Sequence, residues 1–158
     1  MTGPGVQTFL ARSFETELGL FRAVLDGVPD ETFGVPRLGH SPAWHALHIA
    51  EWLRFFVFQD FSATYAHLGW EDDDRMAATR GTPPVNEHAG KTAVLAELDR
   101  MGTLLDAHLR ALRDDQLSDL LRSPPAPGGQ RERLDGLSLH LRHVAYHRGQ
   151  LKLALKPA

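Results

Sequence analysis

Four segments of this 158-residue chain repeat apolar residues at steps of three and four, and no segment alternates apolar with polar residues. That regularity argues against a half-buried sheet and predicts amphipathic helices. The first, from about Gly5 to Leu25, carries Val6, Leu10, Phe14, Leu18, Phe21 and Leu25 on one stripe, with Arg12, Glu15 and Arg22 opposite. Pro29, Gly34, Pro36 and Gly39 interrupt the chain after it. Ser41-Pro42 then supplies an N-cap followed by proline at the first helical position.

The second helix is expected over Pro42 to Leu68. Its Trp44, Leu47, Ile49, Trp52, Leu53, Phe55, Phe56, Val57, Phe58 and Phe61 cover more than one stripe. Such a helix is either central in the bundle or shares a second face with a partner subunit, which makes a homodimer an expectation. Asn86 is read as the cap of a third helix, marked by Val94, Leu95, Leu98, Met101, Leu105, Leu109 and Leu112. The stretch Pro124-Pro125-Ala126-Pro127-Gly128-Gly129 is a loop. Asp135 is read as the cap of a fourth helix running to about Leu155. The expected fold is therefore all-α, a four-helix bundle forming one domain over residues 1–158. Connection lengths do not choose its topology, because each long linker can cross the bundle.

Composition narrows the function classes. A net charge of -3 offers no concentrated basic surface, so nucleic-acid binding is not expected. The chain has no cysteine, which excludes disulfides, protein thiolate nucleophiles and iron–sulfur clusters, and any metal site must use nitrogen and oxygen. No apolar run reaches membrane-spanning length and Met1 to Gln7 is not a signal sequence, so no membrane association and a cytoplasmic location are expected. The acidic run Glu71-Asp72-Asp73-Asp74 reads as a solvated loop.

The chemistry gathers in the last helix. His140, His143 and His147 lie along one side of it, and His143 and His147 are one turn apart, about 6 Å along the axis. Two imidazoles at that spacing can meet one ion, and a third ligand must come from a facing helix. His48, flanked at four residues by Trp44 and Trp52, is the best candidate. It lies about 9 Å in from the start of the second helix and His147 about 12 Å in from the end of the fourth, so an antiparallel pairing brings them level, while a parallel pairing matches His143 nearly as well. His48, His143 and His147 would hold a divalent ion and leave positions open for water or substrate. His140 reads as an outer hydrogen-bond partner or a helix-surface residue. Glu51 reads as an acid/base, an outer-shell anchor or, by a small preference, a solvent-facing charge. His40, His67, His88 and His108 have no partner spacing and are expected at the surface. Gly149, inside a helix, is taken to mark close helix packing, and Tyr146 is expected to point away from the histidine pair.

His143-Val144-Ala145-Tyr146-His147-Arg148-Gly149-Gln150 resembles the last-helix HxxxHRGQ motif of the DinB/YfiT-like superfamily. Trp44-His45-Ala46-Leu47-His48-Ile49-Ala50-Glu51 resembles its second-helix histidine segment, with His45 and His48 both available for the match. The resemblance covers nearly the whole chain. It implies an up-down-down-up bundle, a metal, usually nickel or zinc, held by the residues matching His48, His143 and His147, and frequently a homodimer. It also implies a metal-dependent enzyme, a thiol-dependent S-transferase or a hydrolase, in which the ion activates a low-molecular-weight thiol or water against a small-molecule substrate. The alternative is a non-catalytic, stress-associated bundle that binds a metal or a small ligand.

Overall fold

The computed structural model describes residues 5–157. Helices α1 (Val6–Asp26), α2 (Pro42–Trp52), α3 (Lys91–Ala111) and α4 (Arg133–Ala154) form most of it. Two three-residue strands, β1 (Leu120–Arg122) and β2 (Gln130–Glu132), pair antiparallel with Leu121 opposite Arg131. This hairpin was not expected. Three-residue strands are too short to display an alternating pattern, and their turn is the Pro-Gly loop that the sequence does mark.

Helix α1 packs against α3 and α4, and α2 packs against the same two, so α2 sits diagonally across from α1. Phe14, Phe21, Phe33, Phe55 and Phe56 are almost wholly buried between them, each stabilising the fold by about 1.5–3 kcal/mol. Every residue from Pro42 to Trp52 is buried. The all-round apolarity of α2 is thus met within the chain, and it no longer requires a second subunit.

Helix α2 starts as the sequence predicts: Ser41 Oγ accepts a hydrogen bond from the Trp44 N–H, with Pro42 next in the chain. It ends much earlier than Leu68. One π-helical turn, Leu53–Val57, follows Trp52, and Gln59 then adopts φ 51°, a left-handed conformation that stops the helix. Phe55, Phe56, Val57 and Phe58 are apolar but weak helix formers, so hydrophobicity alone overstates the length. The chain doubles back instead. The Arg54 guanidinium donates to the Thr64 carbonyl oxygen and lies over the Tyr65 ring.

Other helix starts also move. Asn86 Oδ1 accepts from the His88 N–H in a local turn, and α3 begins after Gly90 at φ 93°. Helix α4 begins at Arg133, which places Asp135 inside its first turn, where a carboxylate favours the helix dipole, rather than at the cap. Glu71, Asp72 and Asp74 are exposed, as expected. Gly149 meets no heavy atom that a Cβ would touch; the close approach is at Gly136, where a Cβ would overlap Phe56.

Candidate metal centre

Helix α4 carries His140, His143 and His147 toward α2, and α2 answers with Trp52, His48 and His45. His48 Nε2 lies 2.9 Å from His143 Nε2. The His48 and His147 ring centroids are 4.4 Å apart, and those of His143 and His147 are 4.6 Å apart. One ring nitrogen from each of His48, His143 and His147 falls within 4.8 Å of the other two, so this group can hold a metal ion. Glu51 and His140 are not among the converging atoms.

The surroundings fix the His48 tautomer that ligation needs. His48 Nδ1–H donates to the main-chain oxygen of His67 at 2.5 Å, which leaves Nε2 unprotonated and turned toward His143. The 2.9 Å contact therefore requires the proton on His143 Nε2, and that proton is what a cation would displace. Two imidazoles on one tetrahedral ion, at about 2.0–2.1 Å each, have nitrogens roughly 3.3 Å apart. The observed spacing needs only a small opening, and the donor set suits a borderline divalent ion.

His45 occupies a different place from His48. Its Nδ1 is 2.9 Å from His147 Nδ1. A proton carried by either nitrogen satisfies this contact; carried by His147 Nδ1, it frees Nε2. His45 thus contacts a neighbouring imidazole and is not one of the three residues that converge.

Burial keeps the cluster neutral. Loss of solvation lowers His143 and His45 to about 4, and His147 and His140 to about 3, with the neighbouring imidazoles adding to the effect at His147 and His140. His48 is driven well below its ordinary value for the same reason. Neutral imidazole is the form that binds cations.

Two residues expected at the surface are interior. Glu51 is 5 % exposed and His67 is 3 % exposed. Glu51 accepts from the His67 main-chain N–H at 2.7 Å and from His67 Nδ1–H at 2.8 Å. Trp52 Nε1–H donates to the Leu68 carbonyl at 2.9 Å. These bonds staple residues 66–68 along α2 and hold the carbonyl that orients His48. Gly69 continues this close approach, with φ 76° and room against His48 Cε1 that a Cβ would crowd. The spacing of His48 and Glu51, one turn apart, hinted at this; the return of the chain to place His67 did not show in the sequence.

The centre opens into a cavity of about 770 Å³, a size that suits a small organic molecule. Trp44, Trp52 and Trp70 line it, which are all the tryptophans of the chain. Trp44 is sandwiched between His40, stacked at 3.5 Å, and His48, stacked at 4.4 Å. His40 is exposed as expected but belongs to the cavity wall. His88 is exposed, and His108 is half-buried against Phe58, away from the site. Tyr146 is exposed at the cavity mouth, where its hydroxyl accepts from Gln150 Nε2. Arg148 instead pairs with Glu17 of α1 at 3.0 Å, a structural role.

Among the described residues no helix is long and apolar enough to cross a membrane. No curated protein matches the sequence. The sequence does match the family model of the DinB superfamily, over residues 13–151, which takes in α4 as far as Leu151 and all of α2. A match over most of the chain, together with the helical fold and the three-histidine group between α2 and α4, shows that this chain belongs to the DinB superfamily.

Proposed function

We propose that this protein is a metal-dependent enzyme in which His48, His143 and His147 hold a divalent cation, nickel or zinc, at the floor of a substrate cavity. The observation that carries this is the convergence of three neutral imidazoles, with His48 Nε2 left unprotonated, at the foot of a 770 Å³ aromatic cavity. When bound, the ion supplies Lewis acidity that favours deprotonation of a thiol or water at its open position. The chain itself has no thiol, so a thiol-dependent transfer draws on a low-molecular-weight cosubstrate. Trp44 and Trp52 exclude water from the His48 ring, the His67 carbonyl holds His48 in the ligating tautomer, and His45 braces the His147 ring.

The acid-free lining favours a second reading, a bundle that binds a metal or small ligand without turnover. No aspartate or glutamate lines the cavity among the described residues, so a carboxylate base of the usual kind is missing there. Metal analysis of wild type and His48→Ala is the first test. Stoichiometric nickel or zinc in wild type and its loss in the variant support the site; equal trace metal in both would sink it. Turnover of monochlorobimane with any thiol by the metal-loaded protein then supports S-transfer, and no turnover with thiols or in hydrolysis favours the binding role.

The residue pairings support one domain of up-down-down-up order. Arg22 meets Asp99 while Glu15 meets Arg110, so α1 and α3 run oppositely. His45 meets His147 while Trp52 meets His140, so α2 and α4 do too. Glu17 meets Arg148 while Phe9 and Arg12 share a cleft with Leu141 and Arg142, so α1 and α4 run together. A homodimer now rests on the family resemblance alone, and sedimentation of the purified protein tests it.

A further inference from the structure

The cavity above the three-histidine group has one fixed charge on its lining, the guanidinium of Arg131. The chain as a whole carries a net charge of -3, yet no carboxylate reaches this wall among the described residues. The β1–β2 hairpin delivers that cation: Arg131 is the central residue of β2, paired with Leu121. Its arginine neighbours are engaged, Arg133 with Asp119 and Arg122 over the Phe61 ring. Arg131 is half-buried and has no ion pair among the described residues.

The second polar feature of this lining is His140. The residue is 5 % exposed, its ring lies 5.4 Å from Trp52 and 5.1 Å from Phe56, and it lines the same cavity. Its Nδ1 is buried with no hydrogen-bond partner. A buried N–H without an acceptor is costlier than a bare lone pair, so the proton belongs on Nε2. Arg131 is close enough for its charge to help keep His140 neutral. His140 therefore offers an N–H donor to the same cavity as the guanidinium fork. Two donors of this kind on one lining, in a cavity whose wall also carries the exposed Trp70, match an apolar body that ends in a carboxylate.

We propose that the cavity binds an aryl carboxylate, or a molecule of the same plan, with its anionic group held by Arg131 and His140 and its aromatic part against the wall that Trp70 forms. This rests on reading the cavity as the substrate chamber of the three-histidine site. Specificity for the anion then comes from the hairpin and from the first half of α4, not from the metal ligands.

The test uses the full chain, stripped of metal with a chelator, and follows the three tryptophan indole N–H signals by ¹H–¹⁵N NMR during titration with phenylacetate and with phenylacetamide. Phenylacetate is expected to bind about tenfold more tightly, the range of one charge-assisted hydrogen bond. Arg131→Gln should bring the two ligands to within about twofold. Arg131→Lys, which keeps the charge but not the fork, should fall between. His140→Phe keeps the aromatic packing and should lose roughly two- to fivefold for phenylacetate only. The same spectra show whether each variant is folded.

Equal affinities in the wild type, or full discrimination in Arg131→Gln, overturn the proposal. Discrimination that appears only after zinc is restored also overturns it, because the anion is then on the ion. Discrimination that persists in a protein taking up no zinc upholds the anion site while the metal reading fails.

Discussion

His48 is oriented by a residue that it does not resemble in role: the main-chain oxygen of His67 receives its Nδ1–H at 2.5 Å, and the His67 side chain is itself pinned by Glu51 at 2.8 Å. The order of dependence runs from Glu51, through the segment at residues 66–68, to the Nε2 that His48 turns toward His143. Glu51→Ala removes the acceptor for three donors and leaves all three candidate ligands in the chain. Zinc affinity is expected to fall about 10–100-fold, with a loss of stability of roughly 1–3 kcal/mol. Competition with a chromophoric chelator measures the first and denaturant unfolding the second; unchanged zinc affinity in a destabilised variant would reduce Glu51 to a packing role.

His45 makes a separable prediction, because it touches His147 and not His143. His45→Phe retains the aromatic contacts with Trp44 but removes the partner of His147 Nδ1. We expect weaker metal binding, by about 10-fold, with stoichiometry still one. His143→Ala should abolish stoichiometric binding. Should His45→Phe lose the metal as completely as His143→Ala, His45 is itself a ligand.

The alignment of His140, His143 and His147 is legible in the sequence because helical spacing turns residue order directly into geometry, and the same holds for Ser41-Pro42 and the apolar stripes of α1 and α3. What the sequence does not display is where a chain returns after a helix ends. His67 and Glu51 are 16 residues apart and meet only because Gln59 stops the helix and Tyr65 and Leu68 find the core. Glu51 and His67 satisfy each other, so their polarity, which argues for the surface one residue at a time, gives no sign of burial. Arg131 is hidden for a related reason. A three-residue strand carries no pattern, and only the folded hairpin shows that this arginine faces the histidines.

Acid should unfold the protein by titrating this cluster. In the folded state burial lowers His143 and His45 to about 4 and His147 and His140 to about 3, whereas the unfolded chain titrates near 6.5. As pH falls through about 6.5 the unfolded state takes up protons that the native state does not. Stability is therefore complete above about pH 7 and is lost progressively toward pH 4. Each such histidine steepens the decline by up to about 1.4 kcal/mol per pH unit. Urea midpoints of the metal-free protein should be level from about pH 8 to 7 and fall steadily below about 6.5. His140→Phe should remove about one proton from that slope. A midpoint unchanged between about pH 7 and 5 would show that the imidazoles are solvated.

The two glycines of α4 should respond in opposite directions to the same substitution. Gly149 lies on the exposed face, and a Cβ there meets nothing within 4 Å. Gly149→Ala gains helix propensity of about 1 kcal/mol, expected as a rise in Tm of roughly 2–4 °C, with metal binding unchanged. At Gly136 the new methyl would overlap the Phe56 ring, which is 1 % exposed and cannot swing into solvent. Overpacking typically costs about 1–3 kcal/mol, enough to outweigh the propensity gain. The displaced Phe56 ring also packs against His140 at 5.1 Å, so the disturbance reaches the cavity wall. Thermal unfolding should place Gly136→Ala below wild type and Gly149→Ala above it. The reverse order would mean that helix packing in the HxxxHRGQ stretch, and not at the start of α4, is what excludes a side chain.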